Sequence, residues 1–180
     1  MMFSVEKSVL VVVDIQGTLV RVMHDQVRLF KNIQSLIRGC RTLDIPIIVT
    51  EQAPEKIGST APEIMQCLGD VQPIPKDSFS CFLSQEFTSA LKSYRRKEII
   101  LCGIESHVCA FQTVADLLQH KYMVNVIADA VSSRTSEDRI IGLDRMRSLG
   151  ASISSTEMIL TELLRTSSHP KFKEILSLIK

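Results

Sequence analysis

The chain has 180 residues, 45% of them hydrophobic and 23% charged, and a formal net charge of +1. That length suits one domain, residues 1–180, with a full core, and the charge is too evenly spread for the basic stripe that nucleic-acid binding needs. No apolar run nears the ~20 residues that span a bilayer. The N-terminus carries Glu6 and lacks a small-residue cleavage site, so it does not read as a signal peptide. The expectation is a cytoplasmic protein with no membrane or nucleic-acid partner.

In chain order, "VLVVVDI" (9–15) reads as a buried strand, and "DQVRLFKNIQSLIRGCRTL" (25–43) carries a helical apolar stripe. "PIIVT" (46–50) is a second strand, followed by the polar loop "EQAPEKIGSTAPE" (51–63). "VQPIPKDSF" (71–79) is a proline-broken third strand and "LSQEFTSALKSY" (83–94) a helix. "EIILCGI" (98–104) is the most strand-like stretch, and a helix follows from about Ser106 to His120. "VNVIADAV" (124–131) is a strand, "SEDRIIGLDRMRSL" (136–149) a helix and "ASISS" (151–155) a last strand, before two short helical segments. Strands that alternate with helices and are apolar on both faces imply an α/β fold. It is a single doubly wound domain with a six-stranded, mainly parallel sheet and helices on both faces.

The cysteines are Cys40, Cys67, Cys81, Cys102 and Cys109, an odd number with no CxxC spacing. They read as thiols in a reducing compartment rather than as a disulfide or zinc framework. "LCGIESHVCAFQTVADLLQ" (101–119) crowds Cys102, His107 and Cys109 together, but the spacing does not suit a metal. Cys102 lies within a strand, and His107 points to a different side of the helix from Cys109. No metal or cofactor is expected.

In such sheets ligands bind outside the carboxyl ends of the strands. Asp14 ends the first strand, Lys76 ends the third, and Cys109 follows the fourth. With Ser106 as N-cap, Cys109 sits in the first helical turn, where free N–H groups and the helix dipole favour a thiolate and can receive an oxyanion. Asp14 would then act as a general base, held ionised by Lys76. Each residue also has an ordinary reading: a packing thiol, a turn cap, a surface lysine. "DIQGTLV" (14–20) resembles the D-x-D-G-T signature of haloacid-dehalogenase-like phosphatases, but Gln16 stands where their second aspartate works and cannot carry a proton.

The segments "VVVDIQGTLV", "PKDSFSCF", "LCGIESHVCAFQTVADLL" and "ADAVSSR" together resemble the isochorismatase-like cysteine hydrolases over nearly the whole chain. The resemblance implies a catalytic triad of Asp14, Lys76 and Cys109, and a cis peptide between Ile104 and Glu105. It also implies an oxyanion hole from the backbone N–H groups of Glu105 and Cys109. Gln16, Leu19, Phe79, Ile104 and Val108 are the positions expected around the substrate. A cysteine nucleophile implies amide-type C–N cleavage of a small molecule through a thioester, in a homo-oligomer, a dimer or tetramer. The loop "TEQAPEKIGSTAPE" lacks the histidine of the nicotinamidase metal cluster, which points to a sub-branch other than the nicotinamidases. A non-catalytic binding module that keeps the fold is the alternative, and a thiol sensor is a third reading.

Overall fold

The computed structural model describes residues 2–180. Its strands are β1 (Ser8–Val13), β2 (Ile47–Gln52), β3 (Ile74–Lys76), β4 (Glu98–Ile104), β5 (Met123–Ser132) and β6 (Ser152–Ser154). They form one six-stranded sheet in the order β3-β2-β1-β4-β5-β6. Every pairing is parallel, as continuous apolar runs buried on both faces require. The helices are α1 (Gln26–Thr42), α2 (Pro54–Ile57), α3 (Pro62–Leu68), α4 (Gln85–Ser93), α5 (Cys109–Gln119), α6 (Ser136–Ser148), α7 (Thr156–Leu164) and α8 (Phe172–Ile179).

Side chains of the central strands alternate between two cores. Leu10 and Val12 of β1, Ile100 and Cys102 of β4 and Val49 of β2 pack under α1, α3, α7 and α8. Val9, Val11 and Val13, with Ile99 and Leu101, pack on the opposite face under α4, α5 and α6. All six β1 residues are buried, and each fully buried valine contributes about 1.5–3 kcal/mol of transfer free energy. The α3 helix begins within the last two residues of the polar loop read from the sequence, at Pro62. Proline suits that place because the first helical N–H has no intrahelical partner anyway.

The sheet sets where chemistry can gather. From β1 the chain moves outward through β2 and β3, then returns to place β4 against the other side of β1. The carboxyl ends of β1 and β4 therefore border the switch point, where this class of sheet opens a crevice. Beside it, the β4–β5 register jumps from Leu101↔Val126 to Gly103↔Val131. The extra β5 residues bulge outward and carry 132–134 toward the end of β4.

Candidate active site

Asp14 follows β1 directly and is 2% exposed. Its backbone takes a left-handed φ of 54°, a conformation that aspartate tolerates better than most residues and that turns the chain off the strand. Lys76, at the end of β3, reaches past β2 to place Nζ 2.7 Å from Asp14 Oδ2. The same ammonium donates to Gln52 Oε1 at 2.7 Å and to the carbonyls of Ser78 and Phe79 at 3.1 and 3.3 Å. With side-chain exposures of 0% and 3%, the pair has left water, so these acceptors replace the lost hydration of the cation.

On the other carboxylate oxygen, Thr50 Oγ1 donates to Asp14 Oδ1 at 2.7 Å. Cys109 completes the cluster and is 6% exposed. Burial, then the Asp14 charge, push its thiol pKa up, and Lys76 offsets only part of this. The sequence led to the opposite expectation, a thiol lowered by the helix start. The structure corrects it because one buried pocket holds a carboxylate and a would-be thiolate, and like charges cannot both be ionised at low cost. The site sets the Asp14–Lys76 ion pair beside a thiol that burial favours in its neutral form.

The turn that carries Cys109 is built from β4. Gly103 has φ 141°, and a Cβ there would fall 2.3 Å from the Val13 carbonyl oxygen, so only glycine lets β4 pass so close to β1. Two residues on, Glu105 reverses the chain with φ 55°. The cis bond expected between Ile104 and Glu105 is not present: all peptide bonds among the described residues are trans. The left-handed Glu105 does the reversing instead.

The helix start differs too. Ser106 does not cap α5, because its hydroxyl and its N–H both donate to the Ser132 carbonyl, at 2.9 and 3.0 Å. The cap falls on Val108, and Cys109 is the first helical residue. Val108 N–H and Ala110 N–H both turn back to the Glu105 carbonyl, at 2.8 and 3.3 Å. Among the described residues no carbonyl or side chain accepts from the N–H groups of Glu105 or Cys109. Those two donors, in the turn that carries Cys109, stay free.

The other residues singled out in the sequence divide. Gln16 is fully buried, and its amide is committed to backbone. Nε2 donates to the carbonyls of Gln52 and Gly58 at 2.9 and 2.7 Å, and Oε1 accepts from Gln52 N–H at 2.6 Å. It ties the β1 turn to β2 and to the loop after α2. Ile104 is a core residue, while Leu19 and Val108 are half-buried against the two cores. Phe79 is 55% exposed, its carbonyl on Lys76. Cys102 is buried in the core, with its thiol held well up by burial. His107 has Nδ1 3.0 Å from Ser133 Oγ and Nε2 4.0 Å from Asp138 Oδ2. Among the described residues no three His, Cys, Asp or Glu side chains gather as metal ligands.

Three contributors went unnoticed in the sequence. Thr50 and Gln52 are two apart on β2 and so face the same way, one onto Asp14 and one onto Lys76. Cys81 lies 3.5 Å from Thr50 Oγ1, with its thiol pushed up to about 11 by burial and then by Asp14. The strand period could have exposed the first two. Nothing local marks Cys81.

Comparison with known proteins agrees with this architecture. The isochorismatase domain model matches residues 8–158. Isochorismatase domain-containing protein 2 of Danio rerio is 38% identical over 177 residues, covering 98% of this chain and 88% of the relative. The secreted isochorismatase effector Isc1 of Phytophthora sojae is 37% identical, with 96% and 84% covered. Among solved structures, the MAR1 ribonuclease of Caenorhabditis elegans superposes with a TM-score of 0.93 at 36% identity, covering 99% of this chain and 92% of that one. YcaC of Escherichia coli, described as an octameric hydrolase of unknown specificity, shares the fold with a TM-score of 0.89 at 20% identity, over 98% and 95% of the two chains. By domain match and by overall likeness, the chain belongs to the isochorismatase domain family.

Proposed function

We propose that the protein is a small-molecule cysteine hydrolase that cleaves an amide-type C–N bond. The observation that carries this is the Asp14 carboxylate, held on one oxygen by Thr50 and on the other by Lys76, with the Cys109 thiol against it. A carboxylate so fixed, beside a buried thiol, is suited to take that thiol's proton.

In this mechanism Asp14 takes the thiol proton as Cys109 Sγ attacks the substrate carbonyl carbon. The new oxyanion is received by the free N–H groups of Glu105 and Cys109, aided by the start of α5. Asp14 then returns the proton to the departing nitrogen, the C–N bond breaks, and an amine and a Cys109 thioester remain. Asp14 next deprotonates a water that hydrolyses the thioester, yielding the acid and restoring the thiol. Lys76, with its protons committed to protein acceptors, acts through charge alone. As Asp14 becomes neutral it favours the thiolate. No cofactor enters the scheme.

The protein works as a homo-oligomer in this reading. Phe79 and Leu83, which follow Lys76 in the chain, are 55% and 71% exposed, an apolar edge suited to a second copy; the octameric YcaC gives a precedent in the same fold. No helix among the described residues is long and apolar enough to cross a membrane. All five cysteines are free and buried, which suits a reducing cytoplasm, although one relative is a secreted effector.

Ammonia release from a panel of primary amides tests the proposal, with wild type, Cys109→Ala and an RNA arm prompted by the ribonuclease neighbour. Release by wild type and none by Cys109→Ala supports it. Equal release by both sinks the triad. Amide binding without release favours a non-catalytic module, and RNA cleavage lost with Cys109→Ala would move the reading to another substrate.

A further inference from the structure

Arg139 of α6 is half-buried and has no part in the proposed mechanism. Its Nε donates to the Val131 carbonyl at 3.0 Å, and its Nη2 donates to the Ala128 carbonyl. These carbonyls belong to the β5 bulge, where residues 127–130 stand opposite Cys102 alone. Extra residues in a bulge leave the ladder, so their carbonyls need donors from elsewhere. Asn32 of α1 serves the middle one, that of Asp129, at 2.7 Å, and the Asp129 carboxylate accepts from the N–H and hydroxyl of Thr156. Arg139 holds the bulge on either side of that point.

The contact at Val131 bears on the chemistry because Ser132 is next in the chain. The Ser132 carbonyl takes both the N–H and the hydroxyl of the fully buried Ser106. Ser106 follows Glu105 and stands three residues before Cys109, and those two residues carry the free N–H groups of the turn. One peptide therefore separates the carbonyl held by Arg139 from the carbonyl that fixes the turn. The same helix also meets the turn directly. Gly142, three residues beyond Arg139 and so on the same face of α6, packs where a Cβ would stand 2.7 Å from the Ser106 carbonyl. A planar guanidinium suits the task, since its donors point in fixed directions and span two carbonyls at once.

We propose that Arg139 is a positioning residue for the oxyanion donors. By fixing the β5 bulge it sets the Ser132 carbonyl and, through Ser106, the N–H groups of Glu105 and Cys109. This rests on the hydrolase reading, in which those N–H groups receive the oxyanion. The effect falls on the transition state more than on substrate binding, because the donors must match the place the oxyanion takes.

Two readouts on Arg139→Ala and Arg139→Lys test the proposal. The first needs no substrate: hydrogen exchange of the Ser106 amide by NMR, with the β1 amides as internal control. In Arg139→Ala it should quicken about tenfold or more while β1 keeps its protection. The second is kcat and KM on an amide that the wild type hydrolyses. A misplacement of ~1 Å can cost about 100-fold, so kcat should fall about 10- to 100-fold with KM within about threefold of wild type. Arg139→Lys keeps the charge and can still serve one carbonyl, so it should lie between, and it carries both readouts where Arg139→Ala fails to fold. Free guanidinium should restore part of the lost kcat in Arg139→Ala, because Arg139 lines a cavity of about 90 Å³ with Val131 and Ser132 that its removal enlarges. Unchanged Ser106 exchange overturns the brace, and faster exchange with wild-type kcat overturns the positioning of the donors. A wild type that hydrolyses no amide overturns the hydrolase reading instead, and the exchange result still decides the brace.

Discussion

Replacing Lys76 by methionine probes the ion pair on which the site depends. The substitution keeps the length of the stem and removes the ammonium, which leaves Asp14, 2% exposed, with Thr50 as its side-chain donor. Removing one partner of a buried pair costs about 3–5 kcal/mol, because the remaining charge is neither hydrated nor compensated. Four acceptors on Lys76, Asp14 Oδ2, Gln52 Oε1 and two carbonyls, also lose their donor, which places the loss toward the upper end. For a chain of this size, each kcal/mol moves Tm by ~2–4 °C, so a drop of about 6–20 °C is expected. Urea and thermal unfolding of Lys76→Met measure it. The paired variant Asp14→Asn/Lys76→Met removes the orphaned charge, and asparagine tolerates the left-handed backbone at position 14, so it should recover at least half of the loss. A Lys76→Met protein within about 1 kcal/mol of wild type, an ordinary surface-like effect, would refute the reasoning. So would a double variant no more stable than the single one.

Other consequences are open to direct measurement. Thr50→Val removes a hydrogen bond to a buried carboxylate at almost constant volume and should cost ~1.5–3 kcal/mol in urea unfolding. Gly142 of α6 lies against the nucleophile turn, where a Cβ would stand 2.7 Å from the Ser106 carbonyl carbon and oxygen. Gly142→Ala should lower stability by about 1–3 kcal/mol, and should lower kcat more than it raises KM, because it displaces the oxyanion donors rather than the substrate. The Cys109 alkylation rate should keep rising with pH through the ordinary thiol pKa of ~8.5 without a plateau. Asp14→Asn, which removes a charge that raises that thiol, should bring the plateau to lower pH. The raised thiols of Cys40, Cys81, Cys102 and Cys109 also imply a sign for stability. Their contribution is fully present below the unfolded thiol pKa of ~8.5 and is lost as pH climbs above it. Urea unfolding should therefore show a stability that is flat near neutrality and declines in alkali.

Much of this was legible in the sequence because burial on two faces leaves a local record. The runs at β1 and β4 are apolar without a break, and their residues are buried throughout. Their ends could be read as a candidate site because polar side chains there interrupt long apolar stretches. The remainder depends on contacts far apart in the chain. Ser106 has the look of an N-cap, but its hydroxyl goes to a carbonyl brought near by the bulge in β5, which no local pattern announces. The segment 51–63, read as a loop, holds the end of β2, all of α2 and the start of α3, and its polar side chains fasten backbone. Glu51 Oε1 accepts from both the N–H and the hydroxyl of Thr60, and Gln52 serves Lys76. The direction of the Cys109 shift was misread because a helix start is visible in sequence, whereas the carboxylate buried against it is not.

The central claim is that Cys109 forms the bond to the substrate carbonyl, and acid-quenched intact-protein mass spectrometry during amide turnover tests it most directly. The account predicts an added acyl mass that maps to Cys109, is released by alkaline hydroxylamine as a thioester should be, and is absent in Cys109→Ala. Turnover that continues in Cys109→Ala, or an acyl group mapped to Cys81 instead, would contradict it.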